Sequence, residues 1–221
     1  MAYTTIDDPS AYFQTMIYTG NGAVRSLTND GNSDLQPDWI WIKRRDSAGN
    51  HMSIDSTRGV TKVVYPHIAN AEETLSNRVT SFDSDGYSTA NEDANTNTGT
   101  FVAWQWKANA GTTSSNSNGD ITSTVQASST AGFSIVTYTA TATAGDTVGH
   151  GLSSQPEMIM VKKRAGGDAY GWGVWHTGLS NNNGTKQLIL NTTSAEVTQD
   201  MFNDAIFPSG SATVFATGEN N

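Results

Sequence analysis

Apolar residues along this chain recur mostly at every second position, in short runs bounded by Gly, Asn, Asp, Ser and Thr. A period of two marks a strand with one face buried, whereas a helix would repeat near 3.6. The run from Phe133 through Ile135, Val136 and Tyr138 is rich in β-branched and aromatic residues, the usual strand composition. Trp39-Ile40-Trp41-Ile42 and Met158-Ile159-Met160-Val161 are apolar on both faces, as expected of a central strand. Pro37 and Pro156 stand before them, at a strand entrance where a missing N–H costs no ladder bond. A further strand closes the first half at Phe101-Val102-Ala103-Trp104-Gln105-Trp106, with Val102, Trp104 and Trp106 sharing one face. Asp85-Gly86, Thr19-Gly20 and Asn183-Gly184 supply turn chemistry where a positive φ is expected. Helix is scarce. Residues 69–78, with Asn70 as cap ahead of Glu72 and Glu73, are expected to form a short one, and residues 194–202 are their equivalent.

The chain also repeats itself. Phe13, Met16 and Tyr18 line up with Phe133, Val136 and Tyr138, 120 positions on. Gln36-Pro37 and the apolar run ending at Lys43 line up with Gln155-Pro156 and the run ending at Lys162, 119 positions on. Two matches in one order at nearly one spacing identify a divergent internal repeat. The expected organisation is all-β, with two tandem β-sandwich units of jelly-roll type and little helix. Residues 1–12 read as an N-terminal arm, 13–108 as the first sandwich, 109–128 as a Ser/Thr/Asn/Gly-rich linker and 129–221 as a second, incomplete sandwich. The second copy reaches Asn221 before any counterpart of the strand Phe101 to Trp106. Either the polypeptide continues or another chain supplies that strand.

Composition narrows the function. Only 15% of residues are charged, and six Trp, seven Tyr and seven Phe are too many for a segment that never packs. A net charge of −9 disfavours nucleic acid and anionic membrane surfaces as partners. Without cysteine there is no disulfide framework and no thiolate chemistry. The opening residues lack the basic and apolar regions of a signal peptide, and no apolar run is long enough for a membrane helix.

Candidate chemistry is sparse. His51, His67, His150 and His176 lie at no metal-ligand spacing and read as structural or surface residues. Asp83-Ser84-Asp85-Gly86 resembles the opening of a calcium loop, but Tyr87 and Ala94 fall where further ligands belong, so it reads as a hairpin turn. No pairing of carboxylates and no nucleophile elbow points to hydrolysis. No cofactor or metal is expected. The segment holding Tyr170, Trp172, Trp175 and His176 interleaves aromatic rings with glycine. Such residues form either a core strand or a platform that stacks on sugar rings, and alternation places at least one of the two Trp inside.

Several blocks together resemble a family of tailed-phage virion structural proteins, tail-fibre-like and common in marine phages. They are the opening Met1-Ala2-Tyr3-Thr4-Thr5, the block from Leu35 to Lys43, the run from Asp55 to Lys62, the stretch from Thr80 to Tyr87 and the strand from Phe101 to Trp106. Gly149-His150-Gly151-Leu152, Trp175-His176 and the run from Leu188 to Asn191 carry the companion pattern in the second half. The resemblance implies a virion component with a lectin-like or jelly-roll β-sandwich and no catalytic residues, read here as a non-catalytic tail fibre or appendage that assembles in the host cytoplasm. It would partner other virion proteins and itself, as a homo-oligomer such as a trimer. Contact with host-surface glycans through Tyr170, Trp172, Trp175 and His176 is expected from the aromatic segment itself and not from the resemblance. The alternatives are a capsid decoration or head-fibre protein and, from another class, a polysaccharide depolymerase.

Overall fold

The computed structural model describes residues 6–90, 93–165, 171–198 and 201–218. Among these the chain is built from short strands, with helix limited to single 3-10 turns at Pro9–Ala11 and Pro208–Gly210. It divides into two compact units, Met1–Tyr65 with Glu72–Thr112 and Pro66–Ala71 with Thr113–Asn221.

Unit 1 contains β1 (Phe13–Thr19), β2 (Arg25–Leu27), β3 (Trp39–Arg44), β4 (His51–Asp55), β5 (Lys62–Val63), β6 (Glu73–Thr74), β7 (Val79–Asp83), β8 (Gly86–Thr89) and β9 (Thr100–Trp106). The main sheet runs β1-β9-β3-β4, all antiparallel neighbours, beside a β2-β8-β7 sheet and a β5-β6 pair. Strand β9 is the last to be made yet sits inside the sheet, paired along its length with both β1 and β3. Its inward residues Phe101, Ala103 and Gln105 are fully buried, while Val102, Trp104 and Trp106 point outward and are half-buried.

Inside unit 1, Tyr18 stacks on Phe101 with ring centroids 5.1 Å apart. The Tyr87 hydroxyl donates to the Tyr18 hydroxyl, which donates to the Ala94 carbonyl at 2.6 Å, so neither buried phenol is left unsatisfied. Burial pushes the Tyr18 hydroxyl up to about 12 and raises that of Tyr87 well above its ordinary value. The fully buried Asp38 carboxylate accepts from the Ser56 hydroxyl and from the backbone N–H groups of Ala108, Ala110 and Gly111. These charge-assisted bonds tie the exit of β9 to the entrance of β3.

Local chemistry explains the turns. Asp83 pairs with Gly86 across a two-residue hairpin loop, and Gly86 has φ 97. A side chain there would meet the Leu27 carbonyl oxygen at 2.0 Å. Asp83 accepts from the hydroxyls of Ser81 and Ser88, so both its oxygens serve the hairpin. Gly184 also has a positive φ of 118, but Gly20 does not. Gly20 is needed because a Cβ would come within 2.0 Å of the Thr96 carbonyl oxygen.

Unit 2 contains β10 (Ser114–Asn116), β11 (Ser123–Ser128), β12 (Phe133–Thr137), β13 (Thr147–Gly149), β14 (Met158–Lys162), β15 (Trp172–His176), β16 (Lys186–Ile189), β17 (Val197–Thr198) and β18 (Val214–Ala216). They form the sheets β10-β11-β12, β13-β18 and β14-β15-β16-β17. The core gathers Ile121, Val148, Trp175, Met201, Phe202, Ile206 and Phe215, with Val136, Tyr138, Ile159 and Val161 packed against it while only half-buried.

Several expectations are corrected. The expected linker at 109–128 contains β10 and β11, where Thr124 and Val125 bring β-branched side chains into the otherwise small, polar run. Neither expected helix forms. Glu73 pairs with Val63 in β6 and accepts from the Tyr65 hydroxyl, while Glu72 is held by Arg58. Val197 and Thr198 pair with Gln187 and Lys186, and Gln199 and Asp200 lie outside the described residues. Part of the expected arm is anchored: Asp8 caps the Pro9–Ala11 turn and accepts from Ser33, and Tyr12 accepts from the Lys107 N–H. Residues 1–5 of that arm lie outside the described residues.

The pairing registers of the two units correspond. Trp39, Ile40, Trp41 and Ile42 face Asp55, Ile54, Ser53 and Met52. Met158, Ile159, Met160 and Val161 face His176, Trp175, Val174 and Gly173. The next strands follow suit, Ser53 opposite Val64 and Val174 opposite Leu188, then Lys62 opposite Thr74 and Lys186 opposite Thr198. Leu27 opposite Tyr87 is matched by Val148 opposite Phe215. One strand departs from the expectation. β3 is interior, with β9 on its far edge, whereas β14 ends its sheet among the described residues and is not a central strand.

Candidate functional site

The outward face of the β1-β9-β3-β4 sheet carries a continuous row of aromatic rings. Register creates it: Trp39 lies directly opposite Trp106, and Trp41 directly opposite Trp104. Each pair joins strands more than fifty residues apart in sequence, and cross-strand neighbours at that spacing bring large rings into contact. Trp39 stacks on Trp106 at 4.3 Å, Phe13 leans on Trp106 at 4.9 Å, and Trp41 meets Trp104 edge-on at 6.1 Å. His51 continues the row beyond Trp41 at 6.0 Å.

Two indole N–H groups are used within the sheet. Trp39 Nε1 donates to Ser53 Oγ at 2.7 Å, and Trp41 Nε1 donates to His51 Nδ1 at 3.1 Å. What these two rings present outward is therefore apolar ring surface. The four Trp are half-buried, Phe13 is exposed, and Ile17 extends the face at 65% exposure. Lys43 closes one end, its ammonium bonded to the Ser47 carbonyl at 3.0 Å. A flat aromatic row on paired strands is rigid, so contact with it orders few side chains. It can stack on the apolar faces of sugar rings or receive a partner's side chains, and it offers no convergent acid and base.

The residues expected to contact glycan fall elsewhere. Trp172 and Trp175 lie on β15, which is paired on both edges and buried on both faces, leaving them 6% and 2% exposed. Trp175 Nε1 donates to the Asn182 carbonyl at 3.0 Å, and its ring meets Phe207 edge-on at 5.2 Å. These are core residues. Trp175 forms the floor of an open depression of about 380 Å³, rimmed by Gln155, Glu157, Thr177, Asn182 and Phe207. His176 is exposed at the strand end, where its Nδ1 accepts from the Gly178 N–H, and it does not join the two Trp in one surface. Tyr170 lies outside the described residues.

The sequence signal for the aromatic face was the doublet Trp39/Trp41 and the doublet Trp104/Trp106, each at strand spacing. Their meeting depends on β9 inserting beside β3, which no local pattern announces. The repeat adds a contrast, because Met158 and Met160 take the places of Trp39 and Trp41 in unit 2.

No curated protein and no solved structure matches the chain. A family model matches across residues 8–221 and so through both units, and the chain belongs to that family, a domain of unknown function (DUF7483).

Proposed function

We propose that the chain is a non-catalytic virion structural protein of a tailed bacteriophage, of fibre or appendage type. Its two units are copies of one β-sandwich of jelly-roll or lectin-like form, and the first unit meets host-surface glycan through its aromatic face. The observation that carries the binding role is the outward row Phe13, Trp106, Trp39, Trp41 and Trp104, with two indole N–H groups already satisfied. The matching registers of β3-β4 and β14-β15 support the two-copy reading, and the resemblance of the blocks from Leu35 to Lys43 and Phe101 to Trp106 supports the virion setting. Ring stacking is weak singly, on the order of 1 kcal/mol per contact. A homo-oligomer presenting several such faces multiplies it into useful avidity.

Titration of the purified protein against polysaccharide from the host surface tests this reading. The unmodified chain should bind, and the double variant Trp41→Ala/Trp104→Ala should lose at least about tenfold in affinity while keeping its far-ultraviolet spectrum. Binding to empty heads without binding to polysaccharide would move the protein to the capsid. Release of reducing ends would make it a depolymerase.

A further inference from the structure

The outward face of the unit 1 sheet is aromatic at one end and cationic at the other. Register sets the order along the strands: Trp39 opposite Trp106, then Trp41 opposite Trp104, then Lys43 opposite Val102. The Arg45 N–H bonds to the Thr100 carbonyl at 2.7 Å, which carries the ladder past the end of β3. Alternation then places Arg45 on the same side as Lys43. Rows two residues apart are separated by about 6.8 Å. The two cations therefore begin one row beyond the Trp41–Trp104 pair.

Neither cation is neutralised. Lys43 Nζ bonds to the carbonyl oxygens of Arg44 and Ser47, which are uncharged acceptors, and an ammonium has a third hydrogen to offer. Arg45 is exposed, and its guanidinium meets no carboxylate among the described residues. Asp46, next in the chain, is held by Arg44 instead. At the aromatic end the residue opposite Trp39 is Asp55, but its carboxylate is bonded to Arg58 and 5% exposed. The uncompensated charge on this face is positive and confined to one end, although the whole chain carries −9. Such a chain repels a polyanion on average, so attraction has to come from a local arrangement of this kind. Trp104 adds a polar handle. Trp39 and Trp41 use their N–H groups within the sheet, whereas Trp104 Nε1 has no acceptor among the described residues.

We propose that the glycan taken by this face is an acidic one of uronate type, whose rings lie on Trp41 and Trp104 and whose carboxylate is held by Lys43 and Arg45. The inference rests on the glycan reading above and adds the ligand's charge and orientation. A carboxylate carried directly on the pyranose ring fits the separation of a single row. The planar guanidinium matches its two oxygens at once, and the ammonium supplies a point charge beside it. The Trp104 N–H donates to a hydroxyl or ring oxygen of the sugar. Stacking and charge act on the same sugar unit. An uncharged glycan keeps only the first, and an anion without ring faces keeps only the second.

The test is calorimetric titration of the full chain with hexagalacturonate, with the same oligomer methyl-esterified at its carboxylates, and with inorganic hexaphosphate. Host polysaccharide serves as the reference. The acid should bind at least about tenfold more tightly than its ester, because only the acid makes charge-assisted bonds. That preference should shrink at least about threefold between about 0.05 and about 0.5 M NaCl, as screening shortens the reach of charge. Lys43→Met/Arg45→Met should bind acid and ester alike, whereas Lys43→Arg/Arg45→Lys should retain the preference. Trp41→Ala/Trp104→Ala should lose both oligomers. If host polysaccharide binds but the acid does not exceed the ester, or neither oligomer binds, this inference alone is overturned. If nothing binds, the glycan reading falls with it. Hexaphosphate bound as tightly as the acid overturns the inference, since charge alone would account for the attraction. A preference that survives Lys43→Met/Arg45→Met overturns it too, by moving the anion site elsewhere.

Discussion

Trp39 and Trp106 stack at 4.3 Å with their ring planes 27° apart, and they are direct cross-strand partners on the two inner strands of the unit 1 sheet. The contact locks β9, the strand furthest away in sequence, onto β3. It therefore belongs to the fold and to the candidate contact face alike. Trp39→Ala and Trp106→Ala should each destabilise unit 1 by about 1.5–3 kcal/mol, less than a fully buried Trp because both rings are half-buried. The double variant should fall short of the sum by about 1 kcal/mol, the coupling of a stacked aromatic pair. Denaturant titration of the four proteins measures that difference, and strict additivity would show that the rings do not touch in solution.

Arg58 carries a second prediction. Its guanidinium bonds to Asp55 and to Glu72, and the three side chains are only 6%, 7% and 12% exposed. Replacing the cation leaves two carboxylates in one poorly solvated place. Removing one partner from a buried ionic group costs about 3–5 kcal/mol, mostly from the charge left behind. Arg58→Met should therefore lower the midpoint of unit 1 strongly at neutral pH. Denaturant titration measures that midpoint, and a loss below about 1 kcal/mol would show that the three groups are solvated rather than buried.

Much of this architecture is legible along the chain, for stated physical reasons. Strand alternation is a local property, so β1, β3, β9, β12 and β14 are visible in sequence, and the repeat aligns them. What local pattern cannot tell is which face of a strand is inside. In β9 the larger rings Trp104 and Trp106 are outside, and Gln105 is fully buried with its amide bonded to Asn29. Hydrophobicity alone would reverse that face. In β15 both faces are buried, so Trp172 and Trp175 could not divide between core and surface. The short helices expected at 69–78 and 194–202 gave way to cross-strand pairing and to the Arg58–Glu72 contact, a tertiary override of weak local propensity.

His150 gives a pH dependence. It is 3% exposed in unit 2, and burial holds its imidazole below the ordinary value of 6.5. Nδ1 accepts the Leu152 N–H at 3.2 Å, a bond that a proton on Nδ1 would abolish. The unfolded chain takes up the proton at its ordinary value, whereas the folded chain resists. The stability contribution is therefore complete above pH 6.5 and is lost as the pH falls from there through the folded value. His150→Asn keeps an acceptor near Nδ1 and removes the titration. Between about pH 7.5 and about pH 5, the unmodified chain should lose more stability than the variant. Parallel curves for the two proteins would exclude His150 as the source.

Trp175 separates core from contact surface. Its ring sits in the unit 2 core with Ile206 and Phe215, its N–H is satisfied by the Asn182 carbonyl, and it also lines the depression rimmed by Gln155 and Glu157. Trp175→Ala should cost unit 2 about 3–5 kcal/mol, the range for deleting a buried indole and leaving a cavity. Trp175→Phe should recover part of that, because it retains the contact with Phe207 but leaves the Asn182 carbonyl without its donor. Neither change should alter glycan affinity per folded molecule if recognition lies on the unit 1 sheet. The measurement is affinity for host polysaccharide at a temperature where each variant remains folded, beside thermal unfolding of the same samples. A Trp175→Phe variant that stays folded yet loses affinity by about tenfold or more would return recognition to unit 2, at the depression whose floor Trp175 forms.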